Sequence, residues 1–286
     1  MEDRPDYLVI GHVAKDLLPD GSGVRAGGTA TYSALTAQRL GLQAAIVTAI
    51  APEDEALLNE VRDAGVWVCA VPSEQTTTFR NVYDADGRRT QFLSKQARVI
   101  EWSDVPVGWR GAEIVHLGPI AQELPASMPS NFLYCLLGIT PQGWMRSWDK
   151  TGLVQHSAWP MPAPLEKLPA NAFLILSIED LGYNQELVDY YVKVAPLVAV
   201  THAAGEALLH GGQGKRKIGV PAMAAHPIDP TGAGDVFAAA LLVRYRETAD
   251  PAESARFAHA AAAYAIEGWG TEGIPGRGNV LERMGA

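Results

Sequence analysis

Ile228-Asp229-Pro230-Thr231-Gly232-Ala233-Gly234-Asp235-Val236-Phe237-Ala238-Ala239-Ala240-Leu241-Leu242-Val243-Arg244-Tyr245-Arg246 is a short glycine-bearing turn that runs straight into a long apolar stretch. Gly232 and Gly234 allow backbone conformations and close approaches that a Cβ forbids. From Val236 to Tyr245 almost every residue is apolar, so the helix they form must be buried. The start of a buried helix leaves backbone N–H groups unpaired, and these favour an anionic ligand. Asp235 stands in that first turn, where a phosphoryl oxygen and an attacking hydroxyl can both reach it. A lone Gly-x-Gly is an ordinary turn with an acid capping the next helix. Two acids, a proline, a threonine and two glycines at fixed spacing are a rarer arrangement.

The chain has 286 residues, enough for one large α/β domain with a sizeable core. Its net charge of −9 argues against nucleic acid or an anionic membrane surface as the main partner. Cys69 and Cys135 both sit in apolar runs and read as buried thiols in a reducing compartment. The chain opens on no apolar leader, and no stretch is long enough to span a bilayer. A cytoplasmic protein is the expectation.

Strand-like and helix-like stretches alternate along most of the chain. Tyr7–Gly11, Ala44–Ile50, Val66–Val71, Glu113–Gly118, Asn131–Thr140, Phe173–Ser177 and Leu197–Thr201 read as buried strands. Helices are expected over Gly28–Leu40, Glu53–Ala64, from Pro141 onward, up to about Ala195, and over 234–246 and 251–267. Residues 76–94 differ, because they alternate around Asp86-Gly87, which is a hairpin signal with one exposed face. His116 lies inside an apolar run and reads as a satisfied core histidine. Trp144, Trp148 and Trp159 read as packing residues.

Asp229–Asp235 resembles the C-terminal signature of the ribokinase-like (PfkB) family of small-molecule kinases. The stretch Gly27-Gly28-Thr-Ala-Thr-Tyr32-Ser-Ala-Leu-Thr-Ala-Gln-Arg-Leu-Gly41 is similar to the family's N-terminal signature, and the two occur in the family's order. Gly-Gly followed by small residues and Tyr32 is similar to the myo-inositol kinase branch. The resemblance implies a three-layer α/β/α sandwich over residues 1–286, with a largely parallel sheet and a small β-lid near 14–26 and 76–94. It implies Asp235 as general base, and Gly232, Ala233 and Gly234 as backbone donors to the phosphoryl group.

By the same resemblance Asp16, Gly27 and Gly28 hold substrate hydroxyls, with Tyr32 where many sugar kinases have asparagine. Gln142 stands near substrate in a motif whose usual acid is Thr140 here. Thr201, Gly205, Thr231 and Ala261 fall in the nucleotide region, although Ala203 and Glu206 occupy the glycine positions of the loop after Thr201. Glu179 or Asp180 would organise Mg²⁺, which needs only an acid within water-bridging distance. ATP and Mg²⁺ are the implied cosubstrate and ion, a monovalent cation is a family option, and the lid is a family dimer surface.

The expected reaction moves the γ-phosphoryl of ATP to a hydroxyl of a small neutral polyol or sugar. A nucleoside or phosphosugar acceptor is the first rival, the latter needing a basic cluster such as Arg80, Arg88 and Arg89. A ligand-binding protein that kept the fold without catalysis is the second.

Overall fold

In the computed structural model of the chain, the described residues are 4–18, 21, 23–83, 89–156, 168–170, 172–203, 205–211 and 216–285. The strands of the first half are β1 (Tyr7–Ile10), β2 (Ala14–Leu17), β3 (Val24–Gly27), β4 (Ala44–Ile50), β5 (Trp67–Pro72), β6 (Thr78–Tyr83) and β7 (Arg89–Lys95). They are followed by β8 (Ile114–Leu117), β9 (Leu136–Ile139), β10 (Arg146–Trp148), β11 (Val154–His156), β12 (Ala172–Ser177), β13 (Leu197–Thr201), β14 (Glu206–Gly211) and β15 (Arg216–Pro221). The helices are α1 (Gly28–Arg39), α2 (Asn59–Asp63), α3 (Gln185–Val194), α4 (Ala233–Thr248), α5 (Pro251–Ala265) and α6 (Arg277–Gly285).

Among the described residues the large sheet has nine strands in the order β15-β14-β13-β12-β9-β8-β1-β4-β5. From β5 to β13 every pairing is parallel, and β14 and β15 add on antiparallel. Parallel strands covered on both faces need continuous apolar runs, which is why Tyr7–Ile10 and Ala44–Ile50 are buried throughout. The period of two divides them between layers. Tyr7 and Val9 face a core built with α1, α4 and α5, while Leu8 and Ile10 face one built with α3 and the 97–132 segment. The result is a three-layer α/β/α sandwich.

A second, four-stranded sheet has the order β3-β2-β6-β7. The 14–26 and 76–94 segments therefore pair with each other, β2 with β6 in parallel. Asp86 and Gly87 lie outside the described residues, but β6 and β7 pair antiparallel as the hairpin reading requires. One face of this lid packs Ala14, Phe79 and Leu93 onto Ile120 and Ala121, with Trp148 and Val154 beside them.

Four elements differ from the sequence reading. The helix expected over Glu53–Ala64 is α-helical only from Asn59 to Asp63, after a 3-10 stretch over Pro52–Leu58. The helix expected from Pro141 is a short 3-10 turn, Pro141–Met145, followed by the β10–β11 hairpin. The Gly143 N–H is taken by the Pro119 carbonyl at 2.7 Å, and no helical apolar period continues beyond it. The strand expected over Asn131–Thr140 is confined to Leu136–Ile139. The β14–β15 hairpin was not anticipated, because only one face of it, with Ala207, Leu209 and Val220, is buried.

Elsewhere the packing readings hold. Tyr7 Oη lies 2.7 Å from Nδ1 of His116, and Thr140 Oγ1 lies 3.0 Å from its Nε2. Burial pushes that imidazole down to about 3, so it stays neutral. Trp144 is buried and donates to the Leu124 carbonyl at 2.6 Å; Trp148 packs against the lid; Trp159 lies outside the described residues. Both cysteines are thiols, Cys135 buried as expected and Cys69, against expectation, only half-buried. No described helix is long and apolar enough to cross a membrane.

Candidate active site

The carboxyl ends of β1, β8, β9, β12 and β13 open on the same side as the starts of α1 and α4. In an open α/β sheet this is where the crevice lies. Gly232 caps α4 in the left-handed region, at φ 78°. Gly234 does not need positive φ; it is an exposed first-turn residue whose missing Cβ would point into open space. The turn therefore divides its work, with Gly232 making the bend and Gly234 leaving room above the helix N-terminus.

Asp235 follows, half-buried. Burial raises its carboxyl to about 6, against the Thr29 hydroxyl that hydrogen-bonds it and the charge of Arg146, and with the charge of Asp180. A carboxylate poised near neutrality beside a helix N-terminus can take a proton from a hydroxyl.

The lid side contributes Asp16, which lies so close to Gly27 that a Cβ there would meet its Oδ2. Gly28 starts α1 at φ 85° beneath the His12 carbonyl, 2.6 Å from where its Cβ would stand. Tyr32 is fully buried, its ring against Gly232 and its hydroxyl near Gly270, so it packs beneath the turn. Asp229 is buried as well. Its Oδ2 accepts from Arg25 Nη1 at 2.8 Å and from the Gly270 N–H at 3.2 Å, and its Oδ1 from the Thr231 N–H at 2.9 Å. Arg25 Nη2 also donates to the Thr231 hydroxyl at 3.1 Å, which ties lid strand β3 to the turn.

On the other side Gln142 and Asp180 meet, the amide donating to the carboxylate at 3.0 Å. Asp180 is half-buried and its charge raises the Asp235 carboxyl, whereas Glu179 is exposed. Thr201 donates to the Leu176 carbonyl at 3.3 Å, and Gly205 bridges His202 and Ala222 through backbone bonds. Ala203 adopts φ 45°. Ala261 is fully buried in the α4–α5 packing.

Four residues of this neighbourhood carried no role in the sequence reading: Thr29, Arg25, Arg146 and Glu123. Glu123 is buried and accepts backbone N–H groups of His12 at 3.0 Å, Ile120 at 2.9 Å and Ala121 at 2.6 Å. It fixes the point where the lid leaves the large sheet. Thr29, directly after Gly27-Gly28, had a positional signal; the other three become neighbours of the site only on folding.

Residues 173–275 match the model of the pfkB family carbohydrate kinase. Over 278 residues the chain is 26% identical to the cytidine kinase of Thermococcus kodakarensis, covering 93% of this chain and 97% of that protein. A pyrophosphate-dependent kinase in the ribokinase family, solved with a pyrophosphate analog and myo-inositol, shares the fold with a TM-score of 0.79 at 23% identity, over 97% of this chain and 99% of that one. The ribokinase of Arabidopsis thaliana, solved with ribose and ATP, does so with a TM-score of 0.74 at 20% identity, over 99% of each chain. With both signatures set at one crevice of this sandwich, the chain has the ribokinase-like fold and a pfkB family carbohydrate kinase match over residues 173–275, and these comparisons support a small-molecule kinase.

Proposed function

We propose that the chain transfers the γ-phosphoryl of ATP to a hydroxyl of a small neutral polyol, with myo-inositol the first candidate and a neutral sugar the second. The observation that carries this is Asp235 on the first turn of α4, its carboxyl raised to about 6 and held by Thr29, at the start of the helix that Gly232 leaves open. As the acceptor oxygen attacks the γ-phosphorus, its proton passes to Asp235. The bond to the β-phosphate oxygen breaks, and ADP leaves with that electron pair. The N–H groups at Gly232, Ala233 and Gly234 meet the charge spreading over the phosphoryl oxygens. Asp16 pairs two neighbouring acceptor hydroxyls, each donating to one carboxylate oxygen.

Asp180, bonded by Gln142 and acting by its charge on Asp235, fits the single carboxylate that a largely hydrated Mg²⁺ requires. When bound, that ion neutralises charge on the donor phosphates. Among the described residues no group of three or more His, Cys, Asp or Glu gathers, so phosphates and water would supply most of its ligands.

A second donor, pyrophosphate, is favoured by one feature. The loop after Thr201 has Ala203 and Glu206 where nucleotide loops of the family have glycine, and the Glu206 carboxylate lies over Gly219. The pyrophosphate-dependent neighbour supports the same thought. One panel tests both questions: ATP and pyrophosphate, each with Mg²⁺, against myo-inositol, ribose, fructose, cytidine, adenosine and a sugar phosphate. Efficient turnover of a nucleoside or sugar phosphate, with inositol and free sugars inert, overturns the polyol reading.

A further inference from the structure

Arg25 lies on lid strand β3, two residues before Gly27 and the start of α1. Its guanidinium leaves the lid sheet and grips both polar side chains of the turn that opens α4. Nη1 donates to Asp229 Oδ2 at 2.8 Å, and Nη2 to the Thr231 hydroxyl at 3.1 Å. The Thr231 N–H donates in turn to Asp229 Oδ1 at 2.9 Å. These three residues close a ring of hydrogen bonds, and Gly232, at φ 78°, is the next residue along the chain. A planar fork of N–H donors fixes direction as well as distance, which a single ammonium does not. The turn is therefore oriented from the lid, and with it the N–H groups of Gly232, Ala233 and Gly234.

This arrangement is not the one that stability alone selects. Arg25 Nε and Tyr32 Oη are both buried and have no hydrogen-bond partner among the described residues. Arg25 Nη1 stands 3.5 Å, and Tyr32 Oη 4.0 Å, from where a Cβ of Gly270 would be, so the two side chains flank one point. Buried donors left unpaired cost stability, whereas the two nitrogens that reach the turn are satisfied. On the lid side, Arg25 stands directly opposite Asp16 in the β2–β3 pair. Opposite residues of an antiparallel pair share one face of the sheet. The residue that holds the turn and the residue assigned to the acceptor thus sit side by side. We propose that Arg25 is a positioning residue of phosphoryl transfer, which sets the anion turn from the lid and so couples acceptor binding at β2 to donor binding at α4. The inference rests on the reading that acceptor hydroxyls meet Asp16 and phosphoryl oxygens meet the turn. Such a coupling is reciprocal, each ligand tightening the other by the same factor.

The test measures initial rates with the best donor–acceptor pair from the panel above, for the parent, Arg25→Met, Arg25→Lys, Thr231→Val and Asp235→Asn. In the parent, raising the acceptor from well below its KM to saturation should lower the donor KM about fivefold or more, the usual lower end of such coupling. In Arg25→Met the donor KM should be the same at low and high acceptor, and kcat should fall roughly tenfold to a hundredfold, the effect of a misplaced turn. Arg25→Lys keeps a charge beside Asp229 but cannot span both partners, so its unfolding midpoint should stay near the parent's while the coupling is lost. Thr231→Val, which keeps the Arg25–Asp229 pair, should behave alike. A merely structural role would move the midpoint and leave the coupling. A folded Arg25→Met with parental kcat and coupling overturns the inference, as does a parent whose donor KM ignores the acceptor. If Arg25→Met does not fold, parental coupling in Arg25→Lys and Thr231→Val overturns it. In each of these cases an inactive Asp235→Asn leaves the base reading standing. An active Asp235→Asn, or a panel without turnover, overturns both.

Discussion

The ring of Tyr32 lies against the backbone of Gly232 so closely that a Cβ on the glycine would stand 2.2 Å from Cδ1 and 2.3 Å from Cε1. One signature helix thus forms the floor of the other signature's turn. Gly232→Ala should cost about 1–2 kcal/mol for its left-handed backbone and about 1–3 kcal/mol for the overpacking. Denaturant unfolding measures the sum. Adding Tyr32→Leu to that variant should return the packing share alone. Unchanged stability in Gly232→Ala would refute the contact.

Asp235→Asn should lower kcat by roughly 10²–10⁴, the usual share of a positioned base. In the parent, kcat/KM should fall as pH drops through about 6, the value to which burial raises the carboxyl. The sign for stability is opposite to that of a paired surface acid. A raised folded value means that ionising Asp235 costs stability as pH rises from about 4 towards 6. The Asn variant should therefore match or exceed the parent in stability above pH 6, read from denaturant midpoints. An acid limb in kcat/KM near 4 would contradict the buried-base assignment.

Gly234→Val separates protein from ligand. Nothing lies within 4 Å of the new Cβ, so melting temperature should move little. The side chain would stand above the helix N-terminus, where the phosphoryl group must approach, so turnover should collapse. Normal turnover in a folded variant would remove Gly234 from the anion turn.

Arg25→Met tests the link between lid and turn. Burial alone would raise the Asp229 carboxyl, but hydrogen bonds from the Thr231 side chain and N–H, and the Arg25 guanidinium, bring it below the usual range. Arg25 keeps 31% side-chain exposure, so solvent screening holds the loss to about 1–2 kcal/mol at neutral pH. A depressed carboxyl stabilises the fold above about pH 4 and loses that contribution as pH falls through its folded value. The difference between parent and variant should therefore shrink in acid. A difference that grows in acid would show that Arg25 acts through packing.

Asp16→Ala should cut kcat/KM for the polyol on the order of 10²–10³, because two hydroxyls lose a charged acceptor. Asp16 packs against Gly27, so the melting curve has to be measured alongside. A loss fully explained by unfolding would return Asp16 to a structural role.

What the chain determines locally is what its periods and punctuation encode. The apolar runs of β1 and β4 specify buried parallel strands, because their period carries no polar face. The turn before Asp235 and the Gly27-Gly28 start of α1 are legible for a similar reason, since their glycines answer to local backbone demands. The alternation around residues 76–94 specifies a half-exposed hairpin. None of this says which side chains meet across the crevice. Arg25 and Asp229 are 204 positions apart, and Gln142 and Asp180 are 38 apart. Only the folded sheet brings each pair within hydrogen-bond distance. The same holds for the different settings of Glu179 and Asp180, because the strand-end turn leaves the first exposed and the second half-buried against the Gln142 amide. Tyr32 stands in the sequence where many sugar kinases have a substrate-contacting asparagine and packs beneath Gly232 in the fold, since its orientation depends on how α1 crosses α4.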